Sequence, residues 1–183
     1  MKQYICNDAA LDEVAAALLG GGVGVIPTDT VYGLAAHPDH PSAVQRMYEI
    51  KGREDGKPIA LLAADAAAVA RFGFPLGEKA AEMAAAHWPG ALTLVVENPS
   101  GRTEGFRVPA HDWARRLIEK CGGLLRVTSA NISGLPPATT PDDAISQIGD
   151  KIDFIVDDGV SQVGTASKVV FVAPDGETKI LRP

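Results

Sequence analysis

Apolar residues recur at helical spacing over residues 9–19, where Leu11, Val14, Leu18 and Leu19 share a face. Asp8 is the expected cap of that helix and Gly20-Gly21-Gly22 its end. A strand is predicted over residues 23–27. Because the glycine run precedes this strand, it terminates a helix and is no dinucleotide fingerprint. Beyond a polar loop at 28–33, Ser42 and Gln45 form a capping box for a helix reaching Ile50, with Val44, Met47 and Tyr48 inward. Residues 59–63 read as a strand, and 65–72 and 78–87 as helices parted by Gly73-Phe74-Pro75. Trp88-Pro89-Gly90 breaks the chain, 92–97 is strand-like, and Arg107-Val108 belongs to an extended piece stopped by Pro109. Asp112 is the expected cap of a helix to Cys121, and 124–127 form a short apolar strand. Thr140-Pro141-Asp142-Asp143 is a strong helix start. Residues 154–156, 168–172 and 179–181 are strand-like, the last two joined as a hairpin through Pro174-Asp175-Gly176. Alternation in one part and hairpins in another predict an α/β fold: a single-domain twisted mixed sheet with flanking helices.

The 183 residues suit one domain, 1–183, with enough chain for a sizeable core. No apolar run approaches the roughly 20 residues a bilayer span needs, and Met1-Lys2-Gln3-Tyr4 lacks an apolar signal core. A soluble cytoplasmic protein with no membrane partner is expected. Cys6 and Cys121 are far apart and in no C-x-x-C arrangement, so they are expected to be reduced, buried thiols. A formal net charge of −6 argues against holding nucleic acid by bulk electrostatics. An anionic ligand would need a local cluster, drawn from Lys51, Arg53 and Lys57, from Arg102 and Arg107, from Arg115, Arg116, Lys120 and Arg126, or from Lys168, Lys179 and Arg182. Arg115, Arg116 and Lys120 read as a solvated helix face.

Two loops carry most of the candidate chemistry. Residues 128–134, Thr-Ser-Ala-Asn-Ile-Ser-Gly, follow an apolar strand where open α/β sheets place ligands, and combine hydroxyls, a carboxamide and small residues. Residues 27–33, Pro-Thr-Asp-Thr-Val-Tyr-Gly, offer two hydroxyls, a carboxylate and a phenol in a similar setting. Either loop also reads as an ordinary polar turn, and Asn131-Ile132-Ser133 fits a glycosylation acceptor, a reading that would require a secreted protein. Lys51 and Arg53 read as anion-binding groups or as cations favoured at a helix C-terminus. Arg107, between Phe106 and Val108, needs an anionic partner. His37 and His40 flank Pro38 and make no helical metal pair, while His87 and His111 suit surface or capping roles. No nucleophile elbow, His-Glu-x-x-His or Walker loop is present.

Six stretches in order, Ile26–Leu34 (Ile-Pro-Thr-Asp-Thr-Val-Tyr-Gly-Leu), Lys51-Gly52-Arg53, Trp88-Pro89-Gly90-Ala91-Leu92-Thr93-Leu94, Arg107-Val108-Pro109, residues 128–134 and Ile180-Leu181-Arg182-Pro183, resemble the threonylcarbamoyl-AMP synthases, the YrdC-like domain family. The resemblance covers roughly residues 11–183. It implies a YrdC-like fold with a cavity lined by basic residues, and a nucleotidyl transfer joining L-threonine, bicarbonate and ATP into threonylcarbamoyl-AMP with release of pyrophosphate. The product would serve threonylcarbamoyladenosine modification of tRNA, with tRNA or tRNA-modification proteins as partners. By the same resemblance Lys51 and Arg53 would be catalytic, neutralising the approach of two anions. Thr30, Tyr32, Arg107, Ser129 and Ser167 would bind threonine and bicarbonate, and Arg53, Lys57, Thr103, Asn131, Thr139 and Arg182 would bind ATP. Mg²⁺ is expected with ATP, held by substrate and water. The chain departs from many relatives at Leu62, where they have His, at Lys168, where they have Thr, and at Lys57, where some have Asn. Ending at Pro183, it is expected to be a short form. The competing readings are a noncatalytic RNA-binding or ribosome-maturation module, and a paralogue carbamoylating another acceptor.

Overall fold

The computed structural model describes residues 1–52 and 58–183. In chain order the elements are β1 (Lys2–Ile5), α1 (Asp8–Leu19), β2 (Gly24–Ile26), β3 (Gly33–Ala36), α2 (Pro41–Lys51), β4 (Leu61–Ala63), α3 (Ala66–Arg71), α4 (Glu78–His87), β5 (Leu92–Glu97), β6 (Thr103–Arg107), α5 (Asp112–Lys120), β7 (Leu124–Ser129), α6 (Pro141–Ile148), β8 (Phe154–Asp157), β9 (Lys168–Val172) and β10 (Thr178–Arg182). The strands form one mixed sheet in the order β1-β8-β2-β3-β7-β4-β6-β5-β9-β10. Among the described residues, no helix is long and apolar enough to cross a membrane.

Strand register fixes which side chains share a face, because successive residues point to opposite sides. Leu34 pairs with Thr128, Leu61 with Arg126 and Phe106, and Leu94 with Phe106, so these lie on one face. That face is covered along its length: α2 and α6 pack on Val25, Leu34, Ala36 and Ile155, and α3 and α4 on Leu61, Leu94, Val96, Phe106 and Val170. On the opposite face α1 and α5 cover Ile26, Ala35, Leu62, Leu125, Phe154 and Val156. The cover then stops. Along β5 and β9, Leu94, Val96, Val170 and Val172 are buried beneath helices, whereas Val95, Val169 and Phe171, on the other side, stay half-buried. Among the described residues, no helix covers this half of the sheet face, which leaves an open floor.

Most elements fall where the hydrophobic pattern places them, and the differences have local causes. Asn7, not Asp8, caps α1 by accepting from the Ala10 amide at 3.1 Å. His111, not Asp112, caps α5, its ring nitrogen accepting from the Ala114 amide at 3.2 Å. At α2, Pro41 supplies the first turn after His40 and the expected Ser42/Gln45 box does not form. The box at α6 does form, between Thr140 and Asp143. Two strands are additional to the sequence prediction. β3 is a Gly-Leu-Ala-Ala run of weak intrinsic strand preference, held by complete burial between β2 and β7. β1 is a largely exposed edge strand. β7 runs two residues further than predicted, so Thr128 and Ser129 belong to a strand and the loop begins at Ala130.

Candidate functional site

Arg107 ends β6 on the open face, and its environment is built by two turns. Gly90 accepts from Arg107 Nε at 3.0 Å. Glycine is required there, since a Cβ would lie 2.4 Å from the carbonyl of His87. The loop leaving β2 supplies the rest. Thr28 Oγ1 donates to the Val31 carbonyl at 2.7 Å and accepts from the Thr30 amide at 3.2 Å, which closes the turn. That turn brings Thr30 Oγ1 to 2.8 Å from Arg107 Nη1 and Asp29 Oδ1 against Arg107 Nη2. Asp29 is the anionic partner that a buried arginine on an apolar strand requires, the two residues being 3% and 6% exposed. Burial pulls the Arg107 pKa below its ordinary value; Asp29 opposes that shift, and the charge of Arg182 adds to it.

Arg182 reaches the same place from β10. Its Nε donates to the Ser167 carbonyl at 2.8 Å and its Nη2 to Ser167 Oγ at 3.2 Å. Ser167 Oγ in turn lies 2.8 Å from Thr93 Oγ1 on β5. Leu62, 4% exposed, pairs with Arg107 from β4 and makes the adjoining wall apolar. One end of the open face therefore gathers two guanidinium groups, one carboxylate and three hydroxyls.

The other end is polar too. With Leu61 aligned to both Arg126 and Phe106, Ser129 on β7 stands level with Thr103 on β6, about 13 Å along the strands from Arg107. Between the two ends the floor is Val127, Ala60, Gly105 and Val95. A Cβ on Gly105 would press to 3.3 Å from Ala60, so glycine keeps this stretch low. Residues 158–167 pass over the Asp29–Thr30 loop: the amides of Val163 and Gly164 donate to the carbonyls of Asp29 and Thr30 at 3.0 and 2.8 Å, and that of Ser161 to Thr139 at 2.8 Å.

The sequence-predicted residues separate accordingly. Thr30, Arg107, Ser167 and Arg182 meet at one end, and Ser129 and Thr103 mark the other. Lys51 is 2% exposed and its ammonium is turned into the 129–131 turn, donating to the carbonyls of Ser129 at 2.5 Å and Asn131 at 2.7 Å. Asn131 donates to the carbonyls of Ile132 and Leu135 at 2.9 and 2.8 Å, holding the same turn. Thr139 Oγ1 donates to Asp143 at 3.1 Å beside the cap of α6. Tyr32 is 1% exposed within the core under α2 and α6; its hydroxyl accepts from the Asp158 amide at 3.0 Å and donates to the Gly159 carbonyl at 2.8 Å. Burial pushes its pKa up to about 12. Arg53 and Lys57 lie outside the described residues. Of the cations expected to line the cavity, Arg107 and Arg182 stand on this floor.

Two site residues escaped the sequence reading, Asp29 as the partner of Arg107 and Thr93 as the partner of Ser167. Each carried a faint signal. Asp29 is a lone carboxylate in a turn flanked by hydroxyls, and Thr93 is the one hydroxyl inside a strand otherwise apolar from Leu92 to Val96. The other expected clusters resolve into structural roles. Arg126 makes a paired contact with buried Glu104 at 2.7 and 2.6 Å, and Arg116 and Lys120 tie α5 to Asp8 and Asp12 of α1 at the surface. Both cysteines are free, Cys121 buried as expected and Cys6 only half-buried.

A family model named for Sua5, YciO and YrdC and described as "Telomere recombination" matches residues 16–183. Among curated proteins, the threonylcarbamoyl-AMP synthase of Bacillus subtilis is 34% identical over 97% of this chain and 54% of its own length. That of Halorhodospira halophila is 37% identical over 78% of this chain and 79% of its own. The chain thus spans about half of the first relative and most of the second. Among solved structures, Pyrococcus abyssi Sua5 complexed with L-threonine superposes with a TM-score of 0.88 at 30% identity, covering 100% of this chain and 57% of that one. A mixed twisted sheet, one open face and a match running through every element of the site place this chain in the Sua5/YciO/YrdC family.

Proposed function

We propose that the protein is an L-threonylcarbamoyladenylate synthase, joining L-threonine, bicarbonate and ATP into threonylcarbamoyl-AMP, pyrophosphate and water. The observation that carries this reading is the two-ended cleft: a charged end at Arg107, Thr30, Ser167 and Arg182, and a polar end at Ser129 and Thr103, joined by a low apolar floor. That layout suits a small amino acid held by its carboxylate beside an extended nucleotide.

Arg107 has five N–H donors, of which three are committed to Gly90, Thr30 and Asp29. One N–H on each Nη remains to take the threonine carboxylate in a forked contact. The threonine ammonium gives up a proton to solvent, and the free amine and bicarbonate condense to a carbamate with loss of water. A carbamate oxygen then attacks the α-phosphorus of ATP and the bond to the β-phosphate oxygen breaks, releasing pyrophosphate. The encounter joins two anions, so catalysis would be chiefly positional and electrostatic. Arg182 supplies positive charge at the cleft, and Arg53 and Lys57 are the further cations this reading assigns to the phosphates. Lys51 and Asn131 would act by fixing the 129–131 turn against the nucleotide. The metal would arrive as Mg·ATP, part of the substrate. The product would go to tRNA modification, with tRNA or tRNA-modification proteins receiving it.

The assay is pyrophosphate release from ATP. It should require both L-threonine and bicarbonate; release independent of either one contradicts the proposal. A related reading is favoured by Leu62, whose apolar side chain adjoins Arg107: the same chemistry on another amino acid. Running the assay across the amino acids decides it by which one gives the highest kcat/KM.

A further inference from the structure

We propose that Asp29 is a substrate-binding residue that holds the ammonium group of the amino acid, so that Asp29 and Arg107 together read both charged ends of a zwitterion. The inference rests on the synthase reading and adds a residue to it. Among the described residues only Arg107 bonds the Asp29 carboxylate, and it does so through Oδ1. Oδ2 has no such partner, yet the one fully enclosed unpaired side-chain oxygen or nitrogen among the described residues is Ser161 Oγ. Asp29 Oδ2 therefore borders accessible space, although the residue as a whole is 3% exposed. An isolated carboxylate oxygen at such a depth is costly unless a donor meets it.

The neighbouring chemistry selects the donor. Arg107 Nη2 bonds Oδ1 of Asp29 and keeps a second N–H, so a donor for a carboxylate and an acceptor for a cation belong to adjoining groups. The carboxylate and ammonium of an α-amino acid adjoin in the same way, separated by a single carbon. Charge agrees. Arg107 and Arg182 against Asp29 leave one net positive charge, enough to draw the substrate carboxylate in while Asp29 keeps the ammonium from being repelled. The loop is also fixed for the purpose, since the Val163 amide holds the Asp29 carbonyl at 3.0 Å and Thr28 closes the turn beneath it.

The test compares L-threonine with (R)-3-hydroxybutyrate, its analogue lacking the amine, by calorimetric titration of the wild type and of D29N. In the wild type, threonine should bind about 10- to 100-fold more tightly, the range for a hydrogen bond between charged groups. In D29N that preference should shrink to within about threefold, chiefly through weaker threonine binding. Loss of affinity for both ligands by the same factor would mean that Asp29 only supports Arg107, and would overturn the proposal. Because D29N leaves Arg107 without its anion and can fail to fold, a wild-type crystal structure with L-threonine gives a second decision. The threonine nitrogen within about 3.2 Å of the Asp29 carboxylate supports the proposal, and a nitrogen directed elsewhere overturns it. A wild type that binds threonine without this preference removes the Asp29 role alone. One that binds no threonine at all removes the synthase reading with it.

Discussion

Lys51 and Arg107 are both cations buried to within a few per cent, 2% and 6% exposed, yet their surroundings give them opposite work. Lys51 donates from its ammonium to the main-chain carbonyls of Ser129, the last residue of β7, and of Asn131, just beyond it, and to the Asn131 side chain at 3.4 Å. Arg107 meets one carbonyl, one hydroxyl and one carboxylate and keeps a donor on each terminal nitrogen. The first arrangement consumes the cation to shape a turn; the second orients a cation and leaves part of it to offer. On the proposed reading of the site, the number of donors left after the fold has been satisfied is what would separate a cation that shapes a turn from one that binds a ligand.

The comparison breaks most visibly in stability. R107M leaves the buried Asp29 carboxylate without its cation and should cost about 3–5 kcal/mol in urea unfolding, with pyrophosphate release abolished. Adding D29N should restore much of that stability and none of the activity, because the pair can be deleted together. K51M should cost about 1–3 kcal/mol by leaving buried carbonyls unmet. Two of its partners are backbone carbonyls, which no second substitution removes, so rescue should be at most partial. A side-chain change that fully rescued K51M would show that Lys51 answers a charge, as Arg107 does.

Smaller effects sharpen the same distinction. S167A removes the hydroxyl shared by Thr93 and Arg182 and should raise KM for the amino acid by about tenfold with a lesser change in kcat, in line with losing one charge-assisted bond. T93V should do the same more weakly, acting through Ser167. The smallest effect is in pH. Burial pushes Cys6 and Tyr32 up to about 12 and Cys121 to about 11, from ordinary values of 9.0, 10.0 and 9.0. Folding stability should be unaffected by these groups below about pH 9 and should fall as pH rises from there to about 12, because the unfolded chain ionises first. Alkaline unfolding followed by circular dichroism measures it, and Y32F should remove the tyrosine share of the slope.

Much of the fold was legible because it depends on periodicity and punctuation. Residues 78–87 and 92–97 carry clean helical and strand patterns, and Thr140 with Asp143 announces α6. β3 was not legible, since Gly-Leu-Ala-Ala becomes a strand only through neighbours contributed by β2 and β7. Caps slipped by one residue at Asn7 and His111, where two candidate acceptors stand in sequence and only loop direction chooses between them. The site was legible as motifs and as a resemblance, not as geometry. That Ser129 stands level with Thr103 and a long way from Arg107 follows from register across three strands. That Tyr32 points into the core follows from where residues 158 and 159 pass. The need of Arg107 for an anion could be read from its apolar neighbours, but the identity of that anion, 78 residues away, could not.

In the proposed synthase Arg107 offers its remaining donors to a substrate carboxylate. Calorimetric titration of L-threonine against L-threoninol, which has an alcohol in place of the carboxylate, reads that contact when run on the wild type and on R107K. The wild type should prefer threonine by about 10-fold or more, and R107K, which keeps the charge and loses the fork, should lose most of that preference. Equal affinities for the two ligands in the wild type, or a preference untouched by R107K, would contradict the account.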